Sequence, residues 1–256
     1  MIASLGMYDM APMQAANDRY WALIRDGMRA RGHVAPDALT RGPGAYWPAW
    51  QSRDLVLSQT CGLPYRARLH GQVTLIGTPD FGLDGCAPGY YRSVFVARRS
   101  DPRVALADFA GAVLAYSEDL SQSGWGAAWN HAQTTGLRWS AVLQTGSHTN
   151  ASQAVADGRA DLAAIDALTW TLLTRHTTLP AQIKVVAPTT PTPGLPYIAA
   201  LGTDADLMFA VIAAAIDRLS ADDRDTLHLR GIVRIPAAAY LAVPTAPAPD
   251  AAVPAA

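Results

Sequence analysis

Ser93-Val94-Phe95-Val96-Ala97-Arg98-Arg99-Ser100-Asp101-Pro102 is the stretch at which the sequence passes from one α/β region into another. Ser93–Ala97 combines β-branched, aromatic and small residues and predicts a strand; the charged, proline-ended remainder predicts the entrance to a second lobe. Beyond it, short apolar runs alternate with helical stretches. Strands are predicted at Val113–Tyr116, Ala141–Gln144, Leu162–Asp166 and Ile183–Ala187, and helices at Gly124–Thr135, after Ser147 or Thr149 to about Gly158, and at Leu168–Arg175. Gly136 stops the first of these helices. The proline-rich 188–196 reads as a return crossing.

Upstream the same alternation is present once already. Strands are predicted at Ile2–Met7, Asp54–Ser58 and Val73–Ile76, and a helix at Asn17–Arg31, where Tyr20, Trp21, Ile24 and Met28 recur at helical spacing before Gly32. Gly77–Gly89 is rich in glycine, proline and aspartate and reads as loop. Downstream, Ala205–Leu219 and Ala221–Leu227 read as helices packed back on the first lobe. Strands alternating with helices give an α/β class, each lobe a mostly parallel sheet flanked by helices. The expected organisation is lobe 1 from 1–92 plus 195–243, lobe 2 inserted as 93–194, and a disordered Pro/Ala tail over 244–256.

Composition narrows the function classes. The 256 residues are 50% hydrophobic, with a formal net charge of -1, so the chain can bury a sizeable core and has no basic field for nucleic acid or anionic membrane. Lys184 is the only lysine, a bias read as genomic rather than chemical. The amino terminus lacks the pattern of a secretory signal. The longest apolar run, Leu207–Ile216, falls short of the roughly 20 residues that span a bilayer. Cys61 and Cys86 have neither CxxC nor zinc-ligand spacing, so no metal or cofactor is expected; they are free thiols or, in an exported chain, one disulfide.

Two strand-to-helix turns of the second lobe carry the chemistry. Ser121-Gln122-Ser123-Gly124-Trp125 offers hydroxyls and helix-start N–H groups, which together suit an anion and equally suit an ordinary N-cap. Thr145-Gly146-Ser147-His148 places a second such start near the same carboxyl edge of the sheet, where open α/β sheets bind ligands. His148 can donate to an oxyanion or pack at the helix start. Asp166, ending a strand at that edge, can orient His148, bind a ligand donor or cap the next helix. Trp125 and Trp170 are candidate aromatic walls or core. From the first lobe, Tyr8, Tyr46 and Thr60 follow strands and can face the same cleft. The sequence carries no GxSxG, HExxH, P-loop or dinucleotide turn, which argues against the commonest enzymes.

Five segments resemble, in order, the periplasmic phosphate, phosphite and phosphonate binding proteins of ABC importers. They are Pro88–Val94 (PGYYRSV), Ser121–Gly124 (SQSG), Gly146–His148 with Ala154–Gly158 (GSH…AVADG), Asp161–Ala164 (DLAA) and Thr192–Pro196 (TPGLP). The resemblance implies a two-lobed type II periplasmic-binding-protein fold that closes on a small anionic ligand, as a binder rather than an enzyme. It further implies an ABC permease as partner, a monomer and a periplasmic location, while the lack of a signal leaves a cytoplasmic one open. Ser121, Ser123 and His148 match clamp positions, Tyr46 looks like the first-lobe aromatic, and Tyr90 or Tyr91 matches the hinge tyrosine. Gln122 departs from the usual threonine or serine. Leu168 and Leu195 stand where members that bind aminated phosphonates place carboxylates, so no ligand amine is expected. A signal-less enzyme of the same fold acting on a small organic acid, or a ligand sensor, are the alternatives.

Overall fold

The computed structural model describes residues 1–253. Among these the strands are β1 (Ile2–Ser4), β2 (Leu55–Gln59), β3 (Val73–Asp80), β4 (Tyr90–Tyr91), β5 (Ser93–Arg98), β6 (Val113–Tyr116), β7 (Ala141–Gln144), β8 (Leu162–Asp166), β9 (Ile183–Pro188), β10 (Thr192–Pro193), β11 (Tyr197–Ala200) and β12 (Gly231–Val233). The chain forms two compact units, one of Met1–Tyr90 with Pro193–Ala242, the other of Tyr91–Thr192 with the segment from Val243 onward. The short strands β4 and β10, where the chain passes between units, pair with each other.

The first unit's sheet has the order β1-β2-β11-β3-β12. Strands β1, β2 and β3 run one way, while β11 and β12 are antiparallel insertions. Both insertions were invisible as strands because three or four residues show no usable period. The predicted strand Ile2–Met7 stops at Ser4 and tightens into a 3-10 turn at Gly6–Tyr8. The turn is fixed from outside: Tyr46 Oη donates to the Gly6 carbonyl at 3.0 Å, and a Cβ on Gly6 would sit 3.3 Å from the Tyr46 ring. Residues 77–80, read as loop, continue β3. They hold there because β12 covers them, Ile232 opposite Pro79.

The helix Gln14–Arg29 lays Tyr20, Trp21, Ile24 and Met28 on the core, as the 3.6-residue spacing predicts, and Gly32 at φ 80° leaves it. Below the sheet, Trp50, Leu55, Tyr65, Leu69, Ile198 and Tyr240 form a buried cluster. Two of its polar groups are paired: Tyr240 Oη and Thr78 Oγ1 lie 2.5 Å apart, and Trp50 Nε1 donates to the Gln59 carbonyl at 3.1 Å.

The second unit's sheet has the order β7-β6-β8-β5-β9, with β6, β7 and β8 parallel and β5 antiparallel between β8 and β9. Four of its five strands therefore run one way, which brings the carboxyl ends of β6, β7 and β8 to one edge. One face packs Phe95, Leu114, Trp125 and Leu162, the other Val96, Ala115, Val155 and Ile165. At the opposite edge Arg103 binds Asp101 through two bonds at 3.0 and 2.7 Å and Asp161 at 2.8 Å, while Asp161 accepts from Val113 N. The guanidinium holds the Asp101 carboxyl down to about 2. These bonds fasten the loop after β5 to the starts of β6 and β8.

The expected disordered tail is corrected for 244–253; residues 254–256 lie outside the described residues. The segment packs on the second unit, where Ala246 is buried in the Phe95–Trp125 cluster with Ala252 and Val253 against it. The Pro244 and Pro247 carbonyls accept from Asn130 Nδ2 at 3.0 Å and Trp125 Nε1 at 2.7 Å. Proline and alanine lack helical or strand period, yet they are apolar and supply carbonyls, which is what this surface needs. Cys61 is buried and Cys86 half-buried. No helix of the described residues is long and apolar enough to cross a membrane, and no three metal-ligating side chains gather among them.

Candidate functional site

The carboxyl edge of β6, β7 and β8 assembles both turns. After β6 the chain reaches Ser121, whose extended backbone (φ -79°, ψ 118°) opens a helix. Its Oγ accepts from Gly124 N at 2.9 Å, so Ser121 is an N-cap whose own hydroxyl proton stays available as a donor. The first turn, Gln122–Gly126, is π-helical: Gly126 N reaches back to the Ser121 carbonyl at 2.9 Å. Such widened turns recur at functional sites. The helix then continues as Ala127–Thr135.

After β7 the second turn is tied to the end of β6. Thr145 N and Gly146 N donate to the Tyr116 and Ser117 carbonyls at 2.9 and 2.8 Å, and Thr145 Oγ1 donates to Tyr116 O at 2.8 Å. Ser147, rather than Thr149, caps the helix His148–Ala156, accepting from Asn150 N at 3.1 Å. This brings His148 Nε2 to 2.8 Å from Ser123 Oγ. The two turns chosen from sequence thus meet through a hydroxyl and an imidazole.

Electrostatically the pair is neutral. Burial of the ring pulls the His148 pKa down to about 4, only partly offset by the Ala164 carbonyl. The residue keeps a part-exposed edge, while Nδ1 is enclosed and meets the Ala164 carbonyl outside hydrogen-bond geometry. The Ser123 side is braced by Ser93, whose Oγ donates to the Ser123 carbonyl at 2.9 Å. Sequence reading did not single out Ser93; only its place after the crossing tyrosines hinted at it.

Other expected positions divide. Gln122 is 1% exposed, within the π-turn. Asp166 is buried and accepts from Thr169 N at 2.8 Å, which is the capping alternative. Trp125 is corrected from ligand wall to core: it is wholly buried, its ring faces Tyr116 and Trp129, and its N–H is spent on Pro247. Tyr91 is 3% exposed, and Tyr90 packs beside the first unit's Trp50–Tyr240 cluster.

In the first unit, Tyr8 and Thr60 follow β1 and β2 at the shared carboxyl edge. Tyr8 meets Phe81 edge-on at 5.3 Å and lines a cavity of about 20 Å³ with Gln59, Tyr20 and Tyr197. Thr60 is fully buried with Oγ1 unpartnered among the described residues. Tyr46 stays 39% exposed and stacks edge-on against Trp50.

Comparison with known proteins follows the same lines. No curated protein sequence matches the chain. Among solved structures, PhnD1 from Prochlorococcus marinus in complex with methylphosphonate superposes with a TM-score of 0.70 at 15% identity, covering 93% of this chain and 94% of that one. A Xanthomonas citri protein bound to chloride ion gives 0.70 at 16% identity, covering 92% and 91%. The binding component of a Pseudomonas aeruginosa ABC phosphonate transporter gives 0.63 at 14% identity, covering 91% and 80%. At such identities these likenesses establish the periplasmic-binding-protein fold. The family model described as the periplasmic substrate-binding protein of phosphonate ABC transporters matches residues 57–239, and the chain belongs to that family.

Proposed function

We propose that the chain is the solute-binding component of an ABC importer, closing on a small oxyanion of the phosphonate or phosphate class without converting it. The observation that carries this reading is the Ser123–His148 contact at 2.8 Å beside a serine-capped helix start. Helix-start N–H groups and hydroxyl donors favour an anion, and neutral donors hold it without a full counter-charge. Ser121, Gln122, Ser123, Gly124 and His148 form the second unit's share of the site. Tyr8, Tyr46, Thr60, Tyr90 and Tyr91 are the first-unit and crossing residues assigned to the ligand, and Thr60 is supported by its unpartnered hydroxyl. The proposal includes a monomer that works in the periplasm and delivers to a permease.

A second reading rests on the same pair, since a serine within reach of a neutral imidazole is also nucleophile–base geometry. Thermal melting against methylphosphonate, phosphate, phosphite, sulfonates and carboxylates separates the two. A ligand that binds only the folded state adds about 2.7 kcal/mol of stability at 100 times its Kd. One oxyanion is expected to raise the melt, to be recovered unchanged, and to lose its effect in Ser123→Ala and His148→Ala. Conversion of the ligand would establish the enzyme instead, and a flat response to every oxyanion would refute the anion site.

A further inference from the structure

Between the two turns lies a hydroxyl that none of the sequence patterns marks. Ser117 directly follows β6, is 6% exposed, and its Oγ has no hydrogen-bond partner among the described residues. Its carbonyl is committed to the second turn, accepting from Gly146 N at 2.8 Å. Its side chain lies against the first turn. A Cβ on Gly124 would collide with Ser117 Oγ, and would stand 3.1 Å from Ser117 N and 3.0 Å from Ser121 Oγ. Gly124 is thus the residue that lets the helix start close onto the end of β6, with the Ser117 and Ser121 hydroxyls both beside the place a Cβ would fill.

Buried hydroxyls almost always have a partner, and one left without is costly. The other hydroxyls of this edge are engaged inside the protein: Ser121 Oγ accepts from Gly124 N, Ser123 Oγ pairs with His148, Ser93 Oγ donates to Ser123 O. Ser117 alone among these four makes no hydrogen bond at all within the described residues, in the place where both turns meet.

We infer that the Ser117 hydroxyl is a further ligand donor, and that it sets the site toward anions with three or more terminal oxygens over two-oxygen carboxylates. This rests on the reading of Ser121, Ser123 and His148 as an oxyanion site. Ser121 and Ser123 suffice for the two oxygens of a carboxylate; a phosphonate or phosphate presents at least one more acceptor, and Ser117 is the buried donor left to meet it.

The test compares the full-length parent with Ser117→Ala by titration calorimetry against methylphosphonate, inorganic phosphate and acetate, and by melting without ligand. Loss of a ligand hydrogen bond weakens methylphosphonate and phosphate roughly tenfold, with acetate changed far less. The ligand-free melt stays level or rises, because an unpartnered buried hydroxyl has been removed. Unchanged affinities overturn the inference. So does a fall in the ligand-free melt with all affinities dropping together, since the hydroxyl would then be part of the scaffold. A parent that binds acetate but neither phosphorus anion overturns the preference. A parent that binds none of the three removes the oxyanion reading itself, and this inference with it.

Discussion

At the scale of single residues, His148 is the group whose environment has the most measurable consequence. Its folded pKa of about 4 lies below the value near 6.5 expected in an unfolded chain. Above about pH 6.5 both states are neutral and the residue contributes no pH dependence. As pH falls from there toward 4, the unfolded chain takes up a proton that the folded chain resists, so stability is lost, by up to about 3 kcal/mol at the acid end. Urea midpoints between pH 4 and 7 should therefore slope less steeply in His148→Gln than in the parent, since glutamine keeps polar atoms without titrating. Identical slopes would show that the imidazole does not bear this cost. The pair itself was legible because Ser121 and Ser147 obey helix-start grammar, which places Ser123 and His148 automatically. Ser93 and Ser117 were not, since a serine at a strand end has no local signature; its role comes from the strands and turns packed around it.

At the scale of elements, the turn Gln122–Gly126 is held from behind. Trp125 is locked between Tyr116 and Trp129, and its indole N–H closes on the Pro247 carbonyl. The carboxy-terminal segment is therefore part of the support of the serine turn. Trp125→Phe keeps an aromatic ring while removing the donor and some volume. It leaves the exposed Pro247 carbonyl to water in place of its indole partner and opens a partial cavity at a wholly buried position, at a combined cost of roughly 1–3 kcal/mol. Urea unfolding should show that loss, with the segment after Ala242 cut faster by a proteinase than in the parent. A loss below about 0.5 kcal/mol, the range of surface changes, would show that the tail contributes no support. Nothing in the sequence announced this arrangement: 244–253 has the composition of a linker, and its order comes from a tryptophan about 120 positions earlier. By contrast, the helices ending before Gly32, Gly136 and Gly158 were read from their stop residues, and each glycine has positive φ.

At the scale of the whole molecule, neither unit is made from one continuous piece of chain. The first sheet needs β11 and β12, which follow the inserted second unit, to sit beside and beyond β3. The second core needs Ala246, which follows the whole first unit. The sequence conveyed the insertion, because the α/β alternation visibly restarts, but not this interleaving, because the segments that create it are short or aperiodic. An unfolded second unit would leave a loop of about 100 residues to be closed before β11 could join β2 and β3, an entropic cost of several kcal/mol by loop-closure arguments. An unfolded first unit would likewise release the chain that carries the tail to the second. Each unit thus loses stability when the other unfolds, and the two should melt together. The expected result is one transition in far-ultraviolet circular dichroism coincident with the tryptophan near-ultraviolet signal, and a calorimetric enthalpy equal to the van't Hoff value. In Trp125→Phe, a change confined to the second unit, both signals should shift down by the same amount. Two separated transitions, with only one of them displaced in the variant, would show that the units fold independently despite their shared chain.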